Sequence, residues 1–174
     1  AADAVLGGTG GILFITGEAG IGKSRLSAEV RGLVEAAESP RGAPLWLEGR
    51  CVSYGESLPY WPYRDVLREW LGVSLEEPEL RLRVSLRREV ERLFGQRVLE
   101  IYPYLGAMLG LTLEAEAASR LTELSPEAVQ YRTFEVVGEL IARLADERPV
   151  VLAIDDLHWA DATSLQLTEQ LLGI

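Results

Sequence analysis

The sequence contains one cysteine, Cys51, and one histidine, His158, among its 174 residues. A lone thiol closes no internal disulfide, and neither residue has the neighbours of a Cys/His metal cluster. A reducing, cytoplasmic setting fits. Basic residues are also short, with 17 Lys and Arg against 27 Asp and Glu, for a formal net charge of -10. A surface of that sign repels a phosphate backbone, so no direct nucleic-acid contact is expected from this segment. No apolar run approaches the roughly 20 residues of a membrane helix, and the amino end lacks the basic start and cleavage site of a signal peptide. Internal repeats and low-complexity tracts are absent. An initiator Met is missing too, and the sequence stops at Leu172-Gly173-Ile174 within a helical pattern, so residues 1–174 read as the amino-terminal part of one longer domain.

What remains is ordinary for a globular chain, 48% hydrophobic and 25% charged, enough for one core. Gly7, Gly8, Gly10 and Gly11 lead into Ile12-Leu13-Phe14-Ile15-Thr16, a β-branched and aromatic run that predicts a buried strand. From Lys23 to about Glu38, Leu26, Val30, Leu33 and Val34 recur at helical spacing until Pro40 and Gly42. Leu45-Trp46-Leu47 begins a second strand ending near Cys51, and Gly55, Pro59 and Pro62 mark a loop. Tyr63, Val66, Leu67, Trp70 and Leu71 form one face of an amphipathic helix.

Glu79 to Phe94 is helical as well, with Leu82, Leu86, Val90 and Leu93 inward; Arg81, Arg83, Arg87, Arg88 and Arg92 alternate with Glu79, Glu89 and Glu91 as a solvated face. Ser125-Pro126 starts a further helix, with Val129, Thr133, Val136, Leu140 and Leu144 on one side to about Asp146. Pro149 ends it, Val150 to Ile154 is a buried strand, and Asp161 caps a last helix through Leu165 and Leu172. The outcome is an α/β chain with a core at 11–54 and 126–174 and a mostly helical insert at about 60–124.

Gly17-Glu18-Ala19-Gly20-Ile21-Gly22-Lys23-Ser24 matches G-x-x-x-x-G-K-[ST] between an expected strand and a helix. In such a P-loop, backbone N–H groups converge on phosphate oxygens where a Cβ would obstruct them. Lys23 meets the terminal phosphates, Ser24 offers a hydroxyl to Mg²⁺, and the helix through Arg25 adds its positive end. Residues Gly17 through Arg25 are therefore the candidate nucleotide contacts. Far downstream, Val150 to Ile154 runs into Asp155-Asp156, the form of a Walker B element whose first acid holds the Mg²⁺ shell. Asp155 is the candidate metal residue. Asp156 either polarises an attacking water as the candidate catalytic acid or caps the turn. His158, alone, builds no triad and suits a structural or switch-loop role better than a general base. Cys51 reads as a small buried hydrophobe, and Tyr60, Trp61 and Tyr63 as core packing rather than a stack for a base.

These residues resemble the STAND-type signalling ATPases with an origin-recognition-like AAA domain. Thr16 through Leu26, Gly49-Arg50-Cys51 through Pro59-Tyr60-Trp61-Pro62, and Asp155-Asp156-Leu157-His158-Trp159-Ala160-Asp161 with Ser164-Leu165 carry the resemblance; Tyr131-Arg132, Phe134-Glu135 and Arg148 to Val151 add to it. It implies a P-loop NTPase fold of the AAA type, with a parallel sheet flanked by helices. It further implies the central module of a large helix-turn-helix transcriptional regulator or adenylate-cyclase-like protein. Such a module is an ATP switch, resting with ADP, self-associating with ATP and resetting by slow hydrolysis. ATP and Mg²⁺ are the implied cofactors, and any DNA contact would come from a separate carboxy-terminal domain. The resemblance also implies parts this sequence does not include: a Gly-Arg-Glu motif ahead of the P-loop, a sensor strand between the Walker A and Walker B strands, and a later winged-helix region. Without the intervening strand, Ser24 and Asp155 need not reach the right separation, so the segment alone is expected to be marginal and weakly hydrolytic. Two other readings stay open: a small-molecule phosphotransferase with lid arginines at 81–92, and a scaffold that does not hydrolyse.

Overall fold

Seven helices and two strands are described by a computed structural model, which covers residues 6–53 and 59–173. The loop mark at Gly55 lies outside the described residues. Helix α1 (Lys23–Glu35) is followed by β1 (Leu45–Arg50), then by α2 (Trp61–Leu71), α3 (Glu79–Phe94), α4 (Val98–Met108) and α5 (Ala115–Thr122). Helix α6 (Pro126–Glu147), β2 (Val150–Asp155) and α7 (Ala162–Leu171) complete the chain.

The helical layer forms for local reasons that reach directly into the core. Helix α6 starts at Ser125, whose hydroxyl accepts the Ala128 N–H at 3.3 Å, with Pro126 in the first turn. Its stripe of Thr133, Val136, Leu140 and Leu144 is buried. Helix α3 buries Leu82, Leu86 and Val90, and Phe94 goes inward where Leu93 was expected, Leu93 remaining partly covered. Its outer arginines are ion-paired, Arg87 to Glu91 at 3.0 Å and Arg92 to Glu89 at 2.8 Å. Helix α4 is apolar apart from Glu100 in its first turn, with Ile101, Tyr102, Leu105 and Met108 buried, and Pro103 sits inside it. A helix without a polar face has no 3.6-residue period to read, and an interior proline argues against helix from sequence.

The sheet is smaller than expected. Strands β1 and β2 pair in parallel, Leu45 opposite Val150 through Arg50 opposite Asp155. Gly49 permits this layer to lie close to α2, because a Cβ there would fall 2.1 Å from the Pro62 carbonyl oxygen. The buried strand expected at Ile12 to Thr16 does not form. That segment is irregular, with Ile12, Leu13, Phe14 and Ile15 between 38% and 66% exposed. A strand needs neighbouring N–H and C=O groups, and the two strands among the described residues pair with each other. β2, also expected to be buried, is only half covered along its length. It has β1 on one edge and no other described strand to cover it.

Candidate functional site

The glycine-rich loop enters α1 through two residues in the left-handed region, Gly20 at φ 79° and Gly22 at φ 101°. Side chains with a Cβ rarely adopt that conformation, so the sequence places glycine where the turn requires it. Gly22 is the N-cap of α1, no side chain caps that end, and the Leu26 N–H donates to the Gly22 carbonyl at 2.9 Å. The opening N–H groups of the helix thus face outward from an exposed arc formed by Gly17, Glu18, Ala19, Gly20 and Ile21. Lys23 curls over the arc, its Nζ donating to the Gly17 carbonyl at 2.9 Å and the Glu18 carbonyl at 3.0 Å. Arg25 is exposed on the first turn of α1.

Ser24 and Asp155 do come together. The Ser24 hydroxyl donates to Asp155 Oδ2 at 3.4 Å across 131 residues of sequence. This is closer than the expectation from an unfilled sheet, and contacts between distant segments account for it. The β1 and β2 pairing fixes Asp155 at a strand end, and Arg31 ties α1 to that layer, reaching Glu48 of β1 at 3.2 Å and Glu69 of α2 at 2.9 Å, while Glu35 of α1 itself steadies the guanidinium at 2.8 Å. Glu69 also accepts the Glu48 backbone N–H. Two cis oxygens of an octahedral Mg²⁺ at its usual bond length lie about 3 Å apart, so this hydroxyl and carboxylate suit a hard cation that keeps its remaining positions for phosphate and water.

Asp155 Oδ1 accepts the Asp156 N–H at 3.0 Å, which orients the carboxylate from its other side. Asp156 has φ 55°, a left-handed conformation that aspartate tolerates better than most residues. The turn after it, Leu157–Trp159, is closed by the Asp156 carbonyl, which accepts the Trp159 N–H at 2.9 Å; its side chain makes no cap. Side-chain capping is therefore not the role of Asp156. His158 is on this turn with its ring 5.0 Å from that of Trp159. Asp161 caps α7, its carboxylate accepting the Ser164 N–H at 3.0 Å and the Ser164 hydroxyl.

Cys51 is 3% exposed, and burial first, then the nearby aspartates, push its thiol up to about 11. That is an inert, buried thiol. Tyr63 is buried with its hydroxyl 2.7 Å from Thr168, and Tyr60 packs edge-on against Phe134, so neither stacks on a ligand. One charged side chain at the site carried no sequence signal of its own. Arg50 Nη2 lies 3.1 Å from Asp155 Oδ2, a contact set by the strand register rather than by nearness in sequence.

The family model described as AAA ATPase domain matches residues 1–174. An uncharacterized protein of Rhizobium meliloti (strain 1021) is 27% identical over 166 residues, covering 95% of this chain and 15% of that protein. The chain thus spans a small part of that relative's length. No solved structure matches it.

Proposed function

The chain belongs to the AAA ATPase domain family, and on that premise we propose that it is the ATP switch of a multidomain signalling or transcriptional regulator, of the STAND type. One observation carries the reading: the P-loop hydroxyl of Ser24 and the strand-end carboxylate of Asp155 converge to 3.4 Å beside an uncapped helix amino end. In this reading the backbone from Gly17 to Arg25 and the Lys23 ammonium hold the phosphates, and Ser24 and Asp155 hold the cation. Bound there, Mg²⁺ neutralises phosphate charge. Asp156 orients the attacking water, and hydrolysis is slow, so the ATP-bound form lasts long enough to self-associate. The exposed apolar segment from Ile12 to Ile15 supports a weak turnover by this segment alone. The arginines of α3 are engaged by Glu77, Glu89, Glu91 and Glu147, which disfavours a lid that closes on a phosphoryl acceptor.

Lys23 is the only lysine in the sequence, which makes the test direct. An acyl phosphate of ATP should pass its acyl group to Lys23 Nζ, releasing ATP, and excess Mg-ATP should block the labelling. Peptide mass spectrometry that finds no ATP-sensitive label at Lys23 would remove the nucleotide site. Asp155→Ala should lose the Mg²⁺ dependence of binding, and Asp156→Asn, which keeps the left-handed turn, should bind ATP but not hydrolyse it. Transfer of labelled phosphate to a nucleoside or sugar would replace the switch with a phosphotransferase.

A further inference from the structure

Arg50 ends β1 directly opposite Asp155 in the parallel register, and its guanidinium is bonded to the same oxygen, Oδ2, that the Ser24 hydroxyl reaches. Of the other cations at the P-loop, Lys23 is turned toward the Gly17 and Glu18 carbonyls, and Arg25 is exposed on the first turn of α1. Arg50 is thus the basic group that engages the candidate metal carboxylate. Its side chain is 59% exposed, so it is free to leave without opening the core. Asp155 first, and then Asp156 and Glu48, hold its charge in place.

We propose that Arg50 is a positioning residue for Asp155, holding Oδ2 toward Ser24 and yielding it to Mg²⁺, and so setting the Mg²⁺ concentration at which the nucleotide complex closes. This rests on the nucleotide reading of the same site. Two physical effects make the arrangement consequential. A planar guanidinium fixes a carboxylate more tightly than water does, which keeps Asp155 aimed across the gap to the P-loop. The same positive charge opposes an arriving divalent cation, and a unit charge at ~5 Å from it in a water-like medium changes affinity roughly tenfold. The orienting and opposing effects act on one oxygen. An ion pair to a guanidinium this exposed contributes at most about fivefold, less than the tenfold opposing effect, so removing the charge lowers the Mg²⁺ requirement. Nucleotide binding without metal, which depends mainly on the loop and Lys23, weakens only slightly.

The experiment is a Mg²⁺ titration of the full chain with fluorescent ADP, repeated with Mn²⁺ read by electron paramagnetic resonance, on the wild type, Arg50→Gln and Arg50→Lys. Arg50→Gln should reach half-saturation at about three- to tenfold lower Mg²⁺, and Arg50→Lys, which keeps the charge but not the planar fork, should stay within about twofold of wild type. ADP affinity in EDTA should stay within about threefold in all three. An unchanged or higher Mg²⁺ midpoint in Arg50→Gln would overturn the proposal, and so would ADP binding weakened by more than about tenfold in EDTA, since Arg50 would then contact phosphate. ADP binding that ignores Lys23→Ala would overturn the nucleotide reading beneath it. A Lys23-dependent complex whose Mg²⁺ midpoint ignores Arg50→Gln would overturn this proposal alone.

Discussion

Helices α3 and α1 each carry leucines and valines at helical spacing, yet α3 buries Leu82, Leu86 and Val90 completely and α1 buries only Val34, leaving Leu26 and Leu33 exposed. The difference lies in what surrounds them. Helix α3 packs into a layer in which every helix satisfies its own backbone and needs only an apolar face opposite. The layer beneath α1 would be a sheet, and the segment leading into it, Ile12 to Thr16, has no paired neighbour among the described residues. So α1 is held largely by one arginine and two carboxylates, Glu48 and Glu69, while the candidate phosphate and cation residues, Lys23 and Ser24, project from its loose end. Packing energy is concentrated away from the site, and the site is aligned by polar contacts.

Paired truncations would break this contrast if it is wrong. Leu140→Ala in the helical layer should cost about 2–5 kcal/mol in urea unfolding, whereas Leu33→Ala on α1 should stay within about 0.5 kcal/mol. Equal losses would mean that α1 is packed as well as α6. Gly49→Ala comes next, since its Cβ must displace the Pro62 carbonyl; a loss of about 1–3 kcal/mol is expected, with the contact between β1 and α2 loosened.

The pH dependence sharpens the same boundary. Cys51 sits where the strand meets the helical layer, its thiol raised to about 11 from an ordinary value of 9.0. Raising the folded value favours the neutral thiol, so this stability is present below pH about 9 and lost as pH climbs toward 11. The slope should not exceed about 1.4 kcal/mol per pH unit. Tyr63 and Tyr102 are pushed up to about 12 from 10.0, so the interval from 9 to 10 belongs mainly to Cys51. Unfolding curves of Cys51→Ala should be flat there. The smallest effect is Arg31→Met: these partly exposed ion pairs contribute up to about 1 kcal/mol, but protease cutting between Lys23 and Glu35 should rise measurably while α3 stays protected.

What could be read from the sequence divides along the same line. Ser125-Pro126, the stripe from Thr133 to Leu144 and the cap at Asp161 are local signals, and each appears where expected. The strand at Ile12 to Thr16 had equally good local composition and failed, because pairing is a property of two segments. Helix α4 was invisible as an individual element for the opposite reason, being apolar beyond Glu100 and interrupted by Pro103. The P-loop and Asp155-Asp156 were legible as motifs, and their approach to 3.4 Å was not, since it depends on the β1 and β2 register and the Arg31 tether. Arg50 was visible only as part of a resembling stretch, and its contact with Asp155 emerged from that register.

In the proposed reading the segment from the glycine-rich loop into α1 is ordered by its nucleotide, and the helical layer by its own packing. Hydrogen exchange read by mass spectrometry, with and without saturating Mg-ADP, addresses both halves at once. Amides from Gly17 to Leu26 should slow by at least about tenfold on binding, and those from Leu82 to Leu105 should not change. Slowing spread evenly over both regions, or none at Gly17 to Leu26 with ADP bound, would contradict it.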